Sequence, residues 1–194
     1  MLEVVLIVGI QGSGKSTLVG DYTSKGYVRL NRDERGGSMA GLVANVLSIL
    51  TVQRKSIVAD NVFCTVADRA IFVEAAKKCG AKVHAKVMLT SFEDAQFNVC
   101  QRMIRQGGKL LGPDEIKNSK EEWAIPPAAM FSYRKRYEAP TSKEGFDSIE
   151  FVPFTRLVDP VYKNKAIILD KDGTLTECIS GAKFPCKAND IRIL

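Results

Sequence analysis

The chain has 194 residues, 45% hydrophobic and 26% charged, and a formal charge of +6 from 28 Lys and Arg against 22 Asp and Glu. That length suits one domain, or one domain with part of a second, and the composition excludes intrinsic disorder, a collagen-like repeat and a disulfide scaffold. The basic excess is mild evidence for a polyanionic partner. Five cysteines, Cys64, Cys79, Cys100, Cys178 and Cys186, form no C-x-x-C pair, and His84 is the single histidine, so a structural zinc site lacks ligands at the usual spacing. The opening apolar run is too short for a membrane span and has neither the basic start nor the small-residue cleavage site of a signal peptide, so the protein is expected to be intracellular, away from membranes.

Short β-rich runs alternate with helical stretches, the pattern of parallel strands joined by crossover helices. Buried strands are predicted at residues 4–8, 27–30, 56–59, 82–89 and 149–154, and helices near 15–24, 38–52, 66–79, 91–105 and 126–137. The expected fold is α/β, a doubly wound parallel five-stranded sheet. Residues 106–122 contain a Gly-Gly pair and a mixed-charge run without helical periodicity, and are expected to form a mobile flap or loop. Asp159-Pro160 marks a turn, and a domain boundary is expected near residue 162, giving units over 1–162 and 163–194.

Directly after the first strand, Gly9-Ile10-Gln11-Gly12-Ser13-Gly14-Lys15-Ser16 fits G-x-x-x-x-G-K-[ST] at the start of a helix. Gly12 and Gly14 let backbone N–H groups turn inward around a β-phosphate, the helix N-terminus adds a favourable dipole, and Lys15 reaches the β and γ oxygens. The Ser16 hydroxyl is the expected Mg²⁺ ligand, with Thr17 beside it. Ligands in open α/β sheets lie beyond the carboxyl ends of strands, which draws attention to Asn31-Arg32-Asp33 after strand two and Asp60-Asn61 after strand three. Asp33 has the chemistry to accept the proton of an attacking hydroxyl, and Asp60 that of a Mg²⁺-directing carboxylate; the alternative for each is a helix cap or turn aspartate.

From Asn31-Arg32-Asp33 onward the chain resembles the polynucleotide kinase half of the polynucleotide kinase/phosphatase repair enzymes. The likeness is carried by the phosphate loop, Leu30-Asn31-Arg32-Asp33, Ile57-Val58-Ala59-Asp60-Asn61, and the block from Met130 to Thr141 with Glu144-Gly145-Phe146. It implies a P-loop kinase fold of the adenylate-kinase-like type that moves the γ-phosphate of ATP, with Mg²⁺, to the 5′-hydroxyl end of DNA or RNA. By the resemblance Asp33 is the general base, Lys15 and Ser16 are the phosphate and metal residues, and an arginine over the γ-phosphate completes the site. Arg102 and Arg105, three apart on a helix leading into the flap, are the lid candidates; a solvated helix face is the alternative. Arg32, Arg35, Asp60, Asn61 and Arg69 are acceptor-binding candidates. Val62-Phe63-Cys64 stands where animal-type members carry Thr-Asn-Pro, so any acceptor contact made there is absent or replaced. His84 is expected to be a packed strand histidine, and Trp123 either stacks on a base or anchors the flap.

Ala166 to Leu175 resembles the D-x-D-G-T motif of the haloacid-dehalogenase phosphatases. By that likeness Asp170 is a nucleophile and Asp172 a general acid, with Thr174 completing the motif. A C-terminal fragment of a second α/β domain is therefore expected at 163–194, incomplete and without 3′-phosphatase activity of its own. Two other functions share parts of the pattern: a P-loop kinase of a small metabolite, and a nucleotide-gated nucleic-acid-binding module without turnover. The oligomeric state has no signature in the sequence.

Overall fold

The N-terminal apolar run becomes the middle of a sheet. In a computed structural model that describes residues 1–32, 39–156, 176–178 and 191–193, strand β1 (Glu3–Val8) is followed by helix α1 (Lys15–Thr23), β2 (Val28–Leu30) and α2 (Met39–Ser48). A π-helical turn (Ile49–Gln53), β3 (Ile57–Asp60), α3 (Val66–Lys78) and β4 (Lys82–Met88) come next. Then follow α4 (Phe92–Gly107), α5 (Pro113–Asn118), α6 (Pro127–Arg136), a 3₁₀ turn (Ser142–Glu144) and β5 (Ser148–Val152). The strand order is β2-β3-β1-β4-β5, and every neighbouring pair is parallel. All five strands and the five longer helices lie where the sequence predicts them, within a few residues.

Helices on both faces explain why β1 carries no polar alternation. Val4, Leu6 and Val8 project into a core built with Leu42 and Val46 of α2 and Phe72 and Val73 of α3. Val5 and Ile7 point the other way, onto Val19 of α1. Each such side chain, buried in full, stabilises the fold by roughly 1.5–3 kcal/mol. A third cluster lies apart from both: Ile10 and Cys64 pack with Ala95, Val99 and Met103 of α4 and with Met130 and Tyr133 of α6. It fastens α4 and α6 beside the loop that follows β1.

Two helices begin with side-chain caps. Thr65 and Asp68 form a reciprocal capping box before α3, and Ser91 caps α4 with Glu93 and Asp94 in its first turn. Helix α1 differs, because Gly14 stands at its cap with no side-chain hydrogen bond and no acid follows in the first turn. Its first turn is therefore closed by backbone alone, Thr17 N donating to Gly14 O at 3.1 Å, with no side-chain cap at Gly14.

The segment expected to be a loop at 106–122 contains α5. Pro113 at the first helical position, Asp114 and Glu115 behind it, and the Glu115 carboxylate accepting from Gly112 N at 2.8 Å make a short capped helix without needing an apolar stripe. The chain divides into two compact units, Met1–Thr155 and Arg156–Leu194. In the second, β6 (Thr176–Cys178) pairs antiparallel with β7 (Ile191–Ile193). The strand expected at 165–169 and the phosphatase-like residues Asp170, Asp172 and Thr174 lie outside the described residues. No described helix is long and apolar enough to cross a membrane.

Phe72 has no exposed surface and meets the Phe63 ring edge-on, whereas Phe151 on β5 is 55% exposed. Phe72→Ala is therefore expected to cost about 3–5 kcal/mol of unfolding free energy and Phe151→Ala less than about 0.5 kcal/mol, as read by urea denaturation.

Candidate active site

The carboxyl ends of β1, β2 and β3 open into one cleft of about 1110 Å³. Residues 11–17 form one wall, Arg29, Asn31, Arg32 and residues 60–64 form the floor, and Arg102, Trp123, Tyr133 and Arg136 lie across from them.

The loop after β1 is shaped by two left-handed glycines, Gly12 at φ 78° and Gly14 at φ 89°. Gly12 also has no space for a side chain: a Cβ there would lie 2.5 Å from the Ala95 carbonyl oxygen and 2.9 Å from Val99 Cγ2. Helix α4 thus rests directly on the loop backbone. Asn98 Nδ2 donates to Gly12 O at 2.8 Å, and Thr90 Oγ1 donates to Ser13 O at 2.8 Å. Lys15 Nζ donates to the carbonyls of Gly9 at 3.0 Å and Ile10 at 2.8 Å, which holds the ammonium across the mouth of the loop. The Ser13 hydroxyl is 1% exposed and has no hydrogen-bond partner. Left-handed glycines, a helix start without a cap, an ammonium and an orphaned hydroxyl together fit a phosphate chain. Ser16 and Thr17 are exposed at the first turn of α1, within the cleft wall.

The ends of β2 and β3 are spliced by polar side chains. Arg29 Nη2 donates to Asp60 Oδ2 at 2.6 Å, and Asn31 Nδ2 donates to Asp60 O at 2.7 Å. Asn61 Oδ1 accepts from Arg32 N at 2.9 Å, while its Nδ2 donates to Leu30 O at 3.3 Å. Asp60 is 4% exposed, pairs with Arg29 through Oδ2 and lines the cleft. Asn61 amends the acceptor-binding expectation: one N–H and one lone pair of its amide bond the β2 backbone, while the residue also lines the cleft. Asp33 and Arg35 lie outside the described residues.

Arg69 is a second correction. It has no exposed surface, and its guanidinium is occupied by Glu144 and by the carbonyls of Phe63 and Glu138, so no donor faces an acceptor phosphate. The two lid candidates also part company: Arg102 lines the cleft, and Arg105 is exposed outside it. His84 is half-buried on β4, away from the cleft, with Nδ1 2.7 Å from Ser148 Oγ on the neighbouring strand rather than packed between helices. Trp123 anchors the segment after α5, since a Cβ at Gly107 would lie 2.5 Å from its ring, and it also lines the cleft.

The structure adds residues that sequence reasoning passed over: Arg29, Asn98, Lys120 and Arg136. Asn98 is the one with a legible signal, a polar residue on the core side of an otherwise apolar helical stripe. Cys64, 2% exposed in the cleft floor, places its Sγ 3.5 Å from Tyr133 O, and burial pushes its thiol up. Burial likewise pushes up the Tyr133 phenol. Among the described residues no group of three or more His, Cys, Asp or Glu could cage a metal; Ser16 and Asp60 are among the oxygen-bearing side chains that line the cleft, with Thr17, Asp68, Glu121 and Glu122.

A family model described as an AAA domain matches residues 4–115, from β1 to the first turn of α5. The chain belongs to that AAA domain family. The match takes in the phosphate loop, the splice between β2 and β3, and the helix that rests on Gly12. Over 158 residues the chain is 30% identical to the bifunctional polynucleotide phosphatase/kinase of Schizosaccharomyces pombe, covering 81% of this chain and 35% of that protein. A second curated relative, from Acanthamoeba polyphaga mimivirus, is 30% identical over 167 residues, 83% of this chain and 36% of the relative. The chain thus spans about a third of the length of the curated relatives it matches. Among solved structures, a fungal RNA kinase superposes with a TM-score of 0.57 at 16% identity, over 82% of this chain and 78% of the other, which shows a shared fold.

Gly12→Ala is expected to weaken nucleotide binding by at least about tenfold, roughly 1.4 kcal/mol, because both the left-handed backbone and the α4 contact are lost; equilibrium nucleotide titration reads it. Cys64 should label with a maleimide far more slowly than exposed Cys100 near neutral pH, as seen by peptide mapping. The folded state holds the Cys64 proton to higher pH than the unfolded chain does. Its contribution to stability is therefore complete below the ordinary thiol pKa and is lost as pH rises through the raised value.

Proposed function

We propose that residues 1–162 form an ATP-dependent kinase that phosphorylates the 5′-hydroxyl end of DNA or RNA. The observation that carries this reading is the single cleft that joins the phosphate loop to the ends of β2 and β3 and to the cationic side chains opposite. The name of the fission yeast relative supports a polynucleotide acceptor, and Ser132, Tyr133 and Arg136 of the block that carries the resemblance line the same cleft.

In this reading ATP lies with its phosphates along residues 9–17. Loop N–H groups and Lys15 neutralise the β and γ oxygens as negative charge shifts toward the leaving ADP oxygen. Ser16 and Asp60 would hold Mg²⁺, which would supply neutralisation of phosphate charge. The 5′-hydroxyl approaches from the β2 and β3 side, where Asp33 takes its proton as the oxygen forms its bond to the γ-phosphorus. Arg102, projecting into the cleft from α4, covers the transferred group. Lys120 and Arg136 give the strand's backbone phosphates a cationic wall. Residues 163–194 are assigned to the opening of a haloacid-dehalogenase-type 3′-phosphatase domain, with Asp170, Asp172 and Thr174 as its motif, in keeping with the paired name of that relative.

The test is transfer of label from γ-labelled ATP to a 5′-hydroxyl oligonucleotide, beside a mononucleoside acceptor. Label is expected on the oligonucleotide, reduced about 10²-fold or more in Asp33→Ala, and falling as salt rises from about 50 to 200 mM. Label confined to the mononucleoside would replace the reading with a small-metabolite kinase, and none on either would leave a binding module.

A further inference from the structure

Among the described residues Arg69 is the largest side chain with no exposed surface. It sits in the first turns of α3, one residue past Asp68, which lines the cleft. Its donors divide among three separate pieces of chain. Nε and Nη2 grip Glu144 in a bidentate pair at 2.7 and 3.0 Å. Nη1 donates to Phe63 O at 3.1 Å and to Glu138 O at 2.9 Å.

Each partner leads to the half of the cleft beyond the phosphate loop. Phe63, in the floor, holds a left-handed backbone at φ 40°, which a side chain as large as phenylalanine adopts only when its surroundings enforce it. Arg69 fixes its carbonyl and Phe72 fixes its ring. Cys64 follows, and its carbonyl accepts from Glu138 N at 2.9 Å. The Glu138 carboxylate accepts from Val66 N at 2.6 Å, so the first turn of α3 and the chain leaving α6 are tied twice. Glu138 stands two residues after Arg136, which lines the opposite wall. Glu144 in turn accepts from Thr141 N at 2.8 Å and holds the turn that enters β5. None of these hydrogen bonds reaches residues 9–17; the link to that loop is the apolar packing of Cys64 with Ile10.

We infer that Arg69, through its pair with Glu144, is a positioning residue for the acceptor: it sets the spacing between the cleft floor at Phe63-Cys64 and the wall that carries Arg136. A planar fork with donors on three edges reaches three segments at once, and lysine, a point charge, cannot. The glutamates of the block near the chain's aromatic-rich α6 thereby act behind the cleft wall and not on the substrate. The inference rests on the kinase reading above.

The experiment compares Arg69→Lys and Glu144→Gln with the wild-type full chain in steady-state transfer, varying ATP and the 5′-hydroxyl oligonucleotide separately after circular dichroism has shown each variant folded. The expected result is an oligonucleotide KM raised on the order of tenfold with the ATP KM changed by less than about twofold. Glu144→Gln keeps the shape of the pair and carries the test if Arg69→Lys does not fold. Equal losses for both substrates, or an unchanged oligonucleotide KM in a folded variant, would overturn the inference while leaving the kinase reading intact. A wild-type chain that labels no oligonucleotide would overturn the kinase reading itself.

Discussion

A guanidinium withdrawn from water costs several kcal/mol unless its charge and its N–H groups find partners, and this fold places one where three pieces of chain meet. Arg69 is matched in charge by Glu144, which is itself nearly buried, and in geometry by two backbone carbonyls. Removing either partner would leave the other as an uncompensated buried charge. The end of β3, the exit of α6 and the entry to β5 are consequently not independent loops. They form one unit whose dimensions follow from the reach of a single side chain, and the farther half of the cleft takes its width from that unit.

The nearer half is held by different physics. Around Gly12 there is no charge to balance; shape decides, because helix α4 lies against a backbone that has no room for a methyl group. Asn98 and Thr90 add directional bonds to the same loop. The loop whose geometry fits a phosphate chain is thus made rigid by contact. Between the two halves, Asn61 and the Arg29–Asp60 pair bind the ends of adjacent strands. The cleft is therefore a rigid loop and an ionic hub joined by a polar splice.

The strands and the phosphate loop were legible because their signals are local: apolar runs bounded by glycine, and glycines at fixed spacing before a lysine. What was misread depends on pairs distant in sequence. Asn61 looks like a ligand from its place after a strand, and only the pairing of β2 with β3 shows that its amide is needed by Leu30 and Arg32, about thirty residues earlier. Arg69 and Glu144 lie 75 positions apart, and no local pattern links them. Arg102 and Arg105 share a helix face by spacing, yet one further turn carries Arg105 beyond the cleft. Helix α5 was overlooked for another reason. Its start signal of Gly, Pro and two acids was present, but six residues are too few for an apolar period to register.

Trp123 is the only tryptophan in the sequence. Its ring lies on Gly107, where α4 ends, and its other side belongs to the cleft wall. One indole thus joins the helix that touches the phosphate loop at Gly12 to the opening through which an acceptor would enter. Excited at the red edge, where tyrosine does not absorb, this chain therefore emits from a single indole placed at its cleft. A shift in its wavelength or quenching, undiluted by any other indole, reports occupancy and rearrangement there, so the chain carries an optical probe of its cleft in its native sequence.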